Sequence, residues 1–290
     1  MKIGISTFVT DEGIRPADLG QALEDRGFES LFVAEHTHIP VKRETPYIPN
    51  REMYWPAYSE LPRIYYRTID PFVTLTAVAT VTRRLLVATG VALAVEREPI
   101  NFAKQVASLD LLSGGRVLVG VGAGWNREEM RNLGTDPRTR MALMRERVLA
   151  MKEIWSKDAS EFHGDFVDFD PIRSWPKPMQ RPHPPVLVGG DGPGVIDRVL
   201  EYGDGWVPIL AKSVPALAKR MTELWDRACD AGRAHIPVSV YGVPPDAKVL
   251  DELAEAGADR VLLQLPTSPR DDSLTELDRF ARLKESYIQR

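Results

Sequence analysis

The 290 residues are 43% hydrophobic and 27% charged, with a net charge of −4, the balance of a globular chain with a full core rather than a disordered or fibrous one. The acidic balance gives no basis for nucleic acid as a partner. Cys229 is the single cysteine, so an intrachain disulfide is impossible and a reducing cytoplasm is the expected location.

The chain opens on MKIGISTFV, which reads as a strand over Lys2–Phe8 rather than as a cleavable signal. A helix over Pro16–Arg26 follows; Pro16 suits its first turn and Gly27 its stop. The second strand is Ser30–Glu35 (SLFVAE), then a helix over Asp70–Arg83, a third strand over Leu85–Leu93 and a helix over Ile100–Leu112. Val117–Gly122 (VLVGVG) is the fourth strand, before a helix over Arg138–Lys157. Pro185–Gly189, Gly205–Pro208, Val238–Tyr241 and Arg260–Gln264 complete the strands. They alternate with helices over Gly194–Tyr202, Val214–Ala231, Ala247–Ala256 and Ser273–Ser286. In the sixth helix, Val214–Ala231, Cys229 falls at amphipathic spacing and is expected in the core.

Eight strands alternating with eight helices call for a parallel sheet with helical crossovers. At this length a closed (β/α)8 TIM barrel, one domain over residues 1–290, fits better than an open doubly wound sheet. The longest apolar run, residues 87–95, is about half of what a bilayer crossing needs, so no membrane partner is expected. Two insertions exceed ordinary loop length. His36–Ile69 follows the second strand, at the barrel face where active sites sit. Asp158–Pro184 precedes the fifth strand, and its HGD turn suggests a hairpin capping one end of the barrel.

Three glycines, Gly120, Gly122 and Gly124, alternate through GVGAGWNREEM. The spacing G-x-G-x-G is not the dinucleotide fingerprint, and no acidic strand end follows about 20 residues later. Gly122 and Gly124 either clear space for a flat ring at the barrel mouth or merely fill its taper. A second cluster, LVGGDGPGV, runs from the fifth strand into a helix, where backbone N–H groups make an anion site. Together the two clusters suggest a ligand with a ring and a phosphate. Gly90, inside the third strand, marks a place for a bulge.

The blocks SLFVAEHTHIP, YYRTIDPFVTLTAVA, ATGVALAVEREPINFAKQVASLDLLSGGRV, GVGAGWNREEM, EFHGDFVDFDPIRSWPKP and RPHPPVLVGGDGP resemble those of the luciferase-like flavin and deazaflavin oxidoreductases, and within them the enzymes dependent on coenzyme F-420, an 8-hydroxy-5-deazaflavin. The resemblance implies the same barrel. It also implies a bulge at Gly90, Val91 and Ala92, with a non-prolyl cis peptide, behind the cofactor ring. Gly122, Ala123, Gly124 and Trp125, and the turn Gly189, Gly190, Asp191, Gly192 and Pro193, would contact the cofactor's ribityl and phosphate parts. A small-molecule substrate and a homodimer are further implications, and a separate reductase could supply the reduced cofactor. The implied activity is hydride transfer between F-420 and an organic substrate. The alternatives are an FMN-dependent monooxygenase and a non-catalytic flavin-binding protein.

His36, at the end of the second strand, is the candidate for the proton that accompanies hydride transfer, with Glu35 orienting or tuning it or touching the cofactor; a structural histidine is the other reading. His36 and His38 also form H-x-H, a metal-ligand pair in hydrolase barrels, but the further ligands such a site needs are not at the other strand tips, so no metal is expected. Trp125 and Trp206 are candidates for the substrate pocket or for packing, and Tyr54, Trp55, Tyr65 and Tyr66 for a lid. An acidic F-420 tail would need basic partners, offered by Lys42, Arg43, Arg51, Arg63 and Arg67 in the first insertion, against Glu44, Glu52 and Glu60. Arg173, Lys177 and Arg181 in the second would add to them.

Overall fold

The computed structural model describes residues 1–46, 61–210 and 213–288. Its elements in chain order are β1 (Lys2–Thr7), α1 (Pro16–Asp25), β2 (Ser30–Val33), α2 (Pro71–Val81), β3 (Leu86–Thr89), β4 (Ala92–Leu93), α3 (Pro99–Ser113), β5 (Val117–Gly122), α4 (Arg127–Asn132) and α5 (Arg140–Ser156). The second half comprises β6 (Ser160–His163), β7 (Asp168–Ile172), β8 (Val186–Gly189), α6 (Val195–Tyr202), β9 (Gly205–Val207), α7 (Val214–Asp230), β10 (Ser239–Val243), α8 (Ala247–Glu255), β11 (Arg260–Gln264) and α9 (Arg270–Ile288). Among the described residues no helix is long and apolar enough to cross a membrane.

Eight parallel strands pair in the order β10-β11-β1-β2-β3-β5-β8-β9, and parallel bridges Trp206↔Val238 and Ile209↔Tyr241 bring the two ends together. The result is a (β/α)8 TIM barrel. Its strands are apolar on both faces, as a helix-covered parallel sheet requires. On β5, Val117, Val119 and Val121 face the large outer core under the helices, while Leu118 packs against the barrel interior. Phe32, Ala88, Leu187, Val207, Tyr241 and Leu262 fill that interior. At the opposite end from the mouth, Arg260 pairs with Glu29 at 2.6 Å.

Helix starts follow local chemistry. Asp70 caps α2 by accepting from Phe72 N at 2.8 Å and Val73 N at 3.0 Å, and Pro71 occupies the first turn. Glu98 and Pro99 repeat the device on α3.

The bulge and cis peptide expected in the third strand are present, and two other expectations change in detail. The third strand is interrupted: β3 ends at Thr89, the Gly90–Val91 peptide is cis, and β4 resumes pairing with β5 at Ala92. The second insertion does form a hairpin, β6–β7, but it is moored to a helix: Glu146 of α5 accepts from the turn amides of Asp165, Phe166 and Val167 at 3.0, 2.7 and 2.9 Å. Cys229 is exposed. The buried stripe of α7 runs through Leu217, Met221, Leu224 and Ala228, and one residue further is a turn of about 100° away from it.

Candidate functional site

At the C-terminal ends of the strands, β3 and β4 bulge inward so that Val91 lies over the glycines of its neighbours. A Cβ at Gly122 would lie 2.5 Å from Cγ2 of Val91, and one at Gly189 would lie 2.7 Å from Cγ1. At Gly120 a Cβ would collide with the Thr89 carbonyl. The glycines of β5 and β8 are therefore filled by Val91 from within the protein. Of the two uses the sequence allows for Gly122, room for a ring or filling of the taper, the space is real, but Val91 takes it. Val91 itself is only half-buried, so its outer face becomes the floor of the mouth. Beneath Gly90 lie the Tyr241 ring and Phe32.

His36 stands beside this floor, its side chain 6% exposed. Its Nδ1 is 2.7 Å from Oε2 of Glu129, whose side chain is 1% exposed. On the other side, Trp125 Nε1 donates to Nε2 of His36 at 3.2 Å. An indole N–H can only donate, so Nε2 carries the lone pair and the ring proton sits on Nδ1, facing the carboxylate. The Tyr65 ring closes over His36 at 5.1 Å between centroids, while Tyr66 is exposed. Tyr54 and Trp55 lie outside the described residues.

Glu129 also accepts from the Thr37 amide at 3.0 Å through Oε1, fixing the turn after β2. The sequence reading missed Glu129. A signal existed: Asn126 caps α4 through Glu128 N and Glu129 N, and a Glu three residues after such a cap usually reaches back to it. Here it reaches across to His36 instead.

Glu35 points elsewhere. It accepts from Leu93 N at 2.6 Å and from Arg97 Nε at 2.8 Å, with Arg97 Nη2 also in contact. The carboxylate in contact with His36 is thus Glu129 and not Glu35, because successive side chains at a strand end point to opposite faces. Glu35 instead ties β2 to the segment after the bulge. Burial opposes the charge of Arg97, but Glu35 and Asp70 hold its pKa above the ordinary value.

Glu96 follows the bulge as well. Both its oxygens are shielded and meet no hydrogen-bond partner among the described residues, and Oε1 lies 3.6 Å from where a Cβ on Gly124 would sit. Burial, reinforced by the charges of Glu129 and Glu35, pushes its pKa up to about 9. It is a neutral carboxylic acid at neutral pH.

Across the mouth, the turn Gly189–Gly194 leads into α6. Gly190, with φ of 101°, donates to Val207 O at 3.1 Å, and a Cβ at Gly190 or Gly192 would meet nothing within 4 Å. Fully buried Trp206 supports the turn by donating to Gly190 O at 2.7 Å, so packing is its role. Arg220 donates to the carbonyls of Asp191 and Gly192. Arg198 reaches Pro193 O at 3.5 Å, and its Nε is shielded without a partner.

Most of the basic residues expected around an acidic tail are committed elsewhere. Arg63 pairs with Glu12 at 2.9 Å, Arg67 with Asp11 at 2.5 Å and Arg173 with Asp158 at 3.5 Å. Lys177 is buried, donating to Ile154 O at 2.6 Å. Arg43 stacks over Trp125 at 5.6 Å, and Arg51 lies outside the described residues. His38 bonds Thr37 and Asn132, each at 2.9 Å. Among the described residues no three His, Cys, Asp or Glu side chains gather as a metal site.

The chain belongs to the luciferase-like monooxygenase family, whose model matches residues 11–286. It is 43% identical over 208 residues to an uncharacterised protein of Mycobacterium tuberculosis, covering 71% of this chain and 72% of that one. It is 35% identical over 131 residues to an FMNH(2)-dependent dimethylsulfone monooxygenase of Pseudomonas putida, covering 43% and 35% of the two chains. Among solved structures, an F-420-dependent secondary alcohol dehydrogenase in complex with an F-420–acetone adduct superposes over 99% of each chain, with a TM-score of 0.75 at 21% identity.

Proposed function

We propose that the protein is an oxidoreductase that uses deazaflavin coenzyme F-420 to move a hydride to or from a small organic substrate. The observation that carries this reading is the presence of three features at the C-terminal ends of neighbouring barrel strands: the Val91 floor, the unhindered turn at Gly190–Gly192, and the Nε2 atom of His36. A flat ring fits a floor built from one β-branched side chain over three glycines. A phosphate fits a turn where glycine amides precede a helix and two arginines, Arg198 and Arg220, stand close. When bound, the deazaflavin would supply two-electron hydride chemistry at carbon.

The chain's own residues supply the proton step. Once the substrate hydroxyl displaces the Trp125 indole N–H from His36 Nε2, Nε2 would take the hydroxyl proton as the substrate carbon gives up hydride, or return that proton in the reverse direction. Glu129 then stabilises the imidazolium through Nδ1. Trp125 and Tyr65 wall His36 off from bulk water, which strengthens these interactions.

A second reading is an FMN-dependent monooxygenase, favoured by the similarity to the dimethylsulfone enzyme; the floor and the turn suit either cofactor. The test is titration of the purified protein with F-420 and with FMN, followed by tryptophan fluorescence. Tighter F-420 binding with no oxygen consumption supports the proposal. FMN binding alone, with oxygen uptake on reduction, overturns it.

A further inference from the structure

Past Trp125 the mouth opens outward into two adjoining cavities of about 500 and 610 Å³. Both are lined by Arg127, Arg131 and Arg140. The inner one also touches Gly124 and Trp125, so it borders the indole that contacts His36.

Two of the three acids that line these cavities are already committed, and the third, Glu44, lies in the inner one. Asp136 takes the Arg138 guanidinium at 2.7 Å, and those hydrogen bonds draw its pKa down to about 2. Glu128 accepts from the Glu44 and Thr45 amides, each at 3.3 Å. Burial works against its charge, but these hydrogen bonds and that of the Thr45 hydroxyl outweigh it and hold its pKa low. Arg131 stands 4.0 Å from Glu128, too far for a hydrogen bond.

Around the two cavities four arginines, Arg138 among them, thus face three carboxylates, Glu44, Glu128 and Asp136, which leaves the basin with an excess of positive charge. Arg127 has no ion pair among the described residues. Arg140 donates from Nη1 to Pro137 O at 2.5 Å, but its Nε is shielded without a partner. Like charges brought together around a concave space raise the local potential and draw an anion into it.

We propose that Arg127, Arg131 and Arg140 hold a carboxylate or phosphate group of the organic substrate, placing its reacting carbon on the His36 side of Trp125. The substrate class is then an anionic alcohol or carbonyl compound. This rests on the oxidoreductase reading above. The same chemistry could come from the acidic tail of the cofactor, so the experiment must separate the two.

Calorimetric titration of the cofactor-free protein with pyrophosphate and with citrate, at fixed ionic strength, reads the basin alone. Arg127 and Arg131 are exposed, so Arg127→Gln and Arg131→Gln should leave the melting temperature unchanged. Each should weaken binding of at least one probe by about tenfold, the worth of one charge-assisted hydrogen bond. The same variants, titrated with glutamylated F-420, should keep wild-type affinity. No probe binding by the wild type, or equal binding by wild type and variants, overturns the proposal. A parallel tenfold loss of F-420 affinity overturns it too, by giving the basin to the cofactor tail. A wild-type protein that takes up pyrophosphate but binds neither F-420 nor FMN sinks the oxidoreductase reading, and the substrate assignment with it.

Discussion

Gly122→Ala isolates the floor of the mouth from everything else in the site. Gly122 does not have a positive φ, so alanine meets no backbone penalty there and the effect reduces to one methyl group. That methyl would stand 2.5 Å from Cγ2 of Val91, where carbon atoms at rest keep about 3.5–4.0 Å. Val91 must therefore move by about 1 Å or more, and it cannot move freely because Gly189 lies under its other methyl. Overpacking of this kind costs about 1–3 kcal/mol. At about 2–4 °C per kcal/mol for a protein of comparable size, the melting temperature should fall by several degrees. The displaced side chain would also rise into the ring seat and weaken cofactor binding. Val91→Ala in the same chain removes the colliding methyls, so the double variant should recover most of the loss, leaving a coupling of about 1–3 kcal/mol in a double-mutant cycle. Differential scanning calorimetry and cofactor titration on the four proteins provide the measurement. Additive effects, or a Gly122→Ala protein as stable as wild type, would refute the claim that Val91 occupies the glycine cradle.

Three other perturbations test the neighbouring groups. Glu96, pushed up to about 9, should make stability fall as pH rises. From about pH 4.3, where a glutamate titrates when unfolded, to about pH 9, the folded chain keeps a proton that the unfolded chain has lost. Glu96→Gln carries no such proton, so its melting-temperature advantage over wild type should widen from pH 5 to pH 9; parallel curves would count against a buried neutral acid. Arg97→Met leaves Glu35 uncompensated in a buried position and should cost about 3–5 kcal/mol in urea unfolding, whereas a loss below about 1 kcal/mol would mean that the pair does not anchor the bulge. His36→Ala should lower kcat by about 10²–10⁴ with cofactor affinity retained; unchanged turnover leaves His36 only a structural role.

The order of elements was legible in the sequence because strand and helix periods are local properties. VLVGVG and RVLLQ mark β5 and β11 to the residue, and Pro16 marks the start of α1. The interruption of the third strand was legible too, since glycine inside a strand signals a break in its pairing. His36 could be named as a candidate because it falls at a strand end. Its partner could not. Glu129 lies 93 positions away, and only barrel closure brings the end of β2 to the first turn of α4. Glu35 looked equally suited in sequence, yet the facing of a side chain at a bent strand end is set by pairing across strands, and that turned it to Arg97. The glycines behaved likewise. Composition revealed that space was needed above β5 and β8, but whether a ligand or Val91 fills it depends on where the neighbouring strand bulges. The charges divided on the same principle. Arg63 and Arg67 resemble Arg127 and Arg131 in sequence, and only the fold gives the first pair carboxylate partners at Glu12 and Asp11 while leaving the second pair facing a cavity.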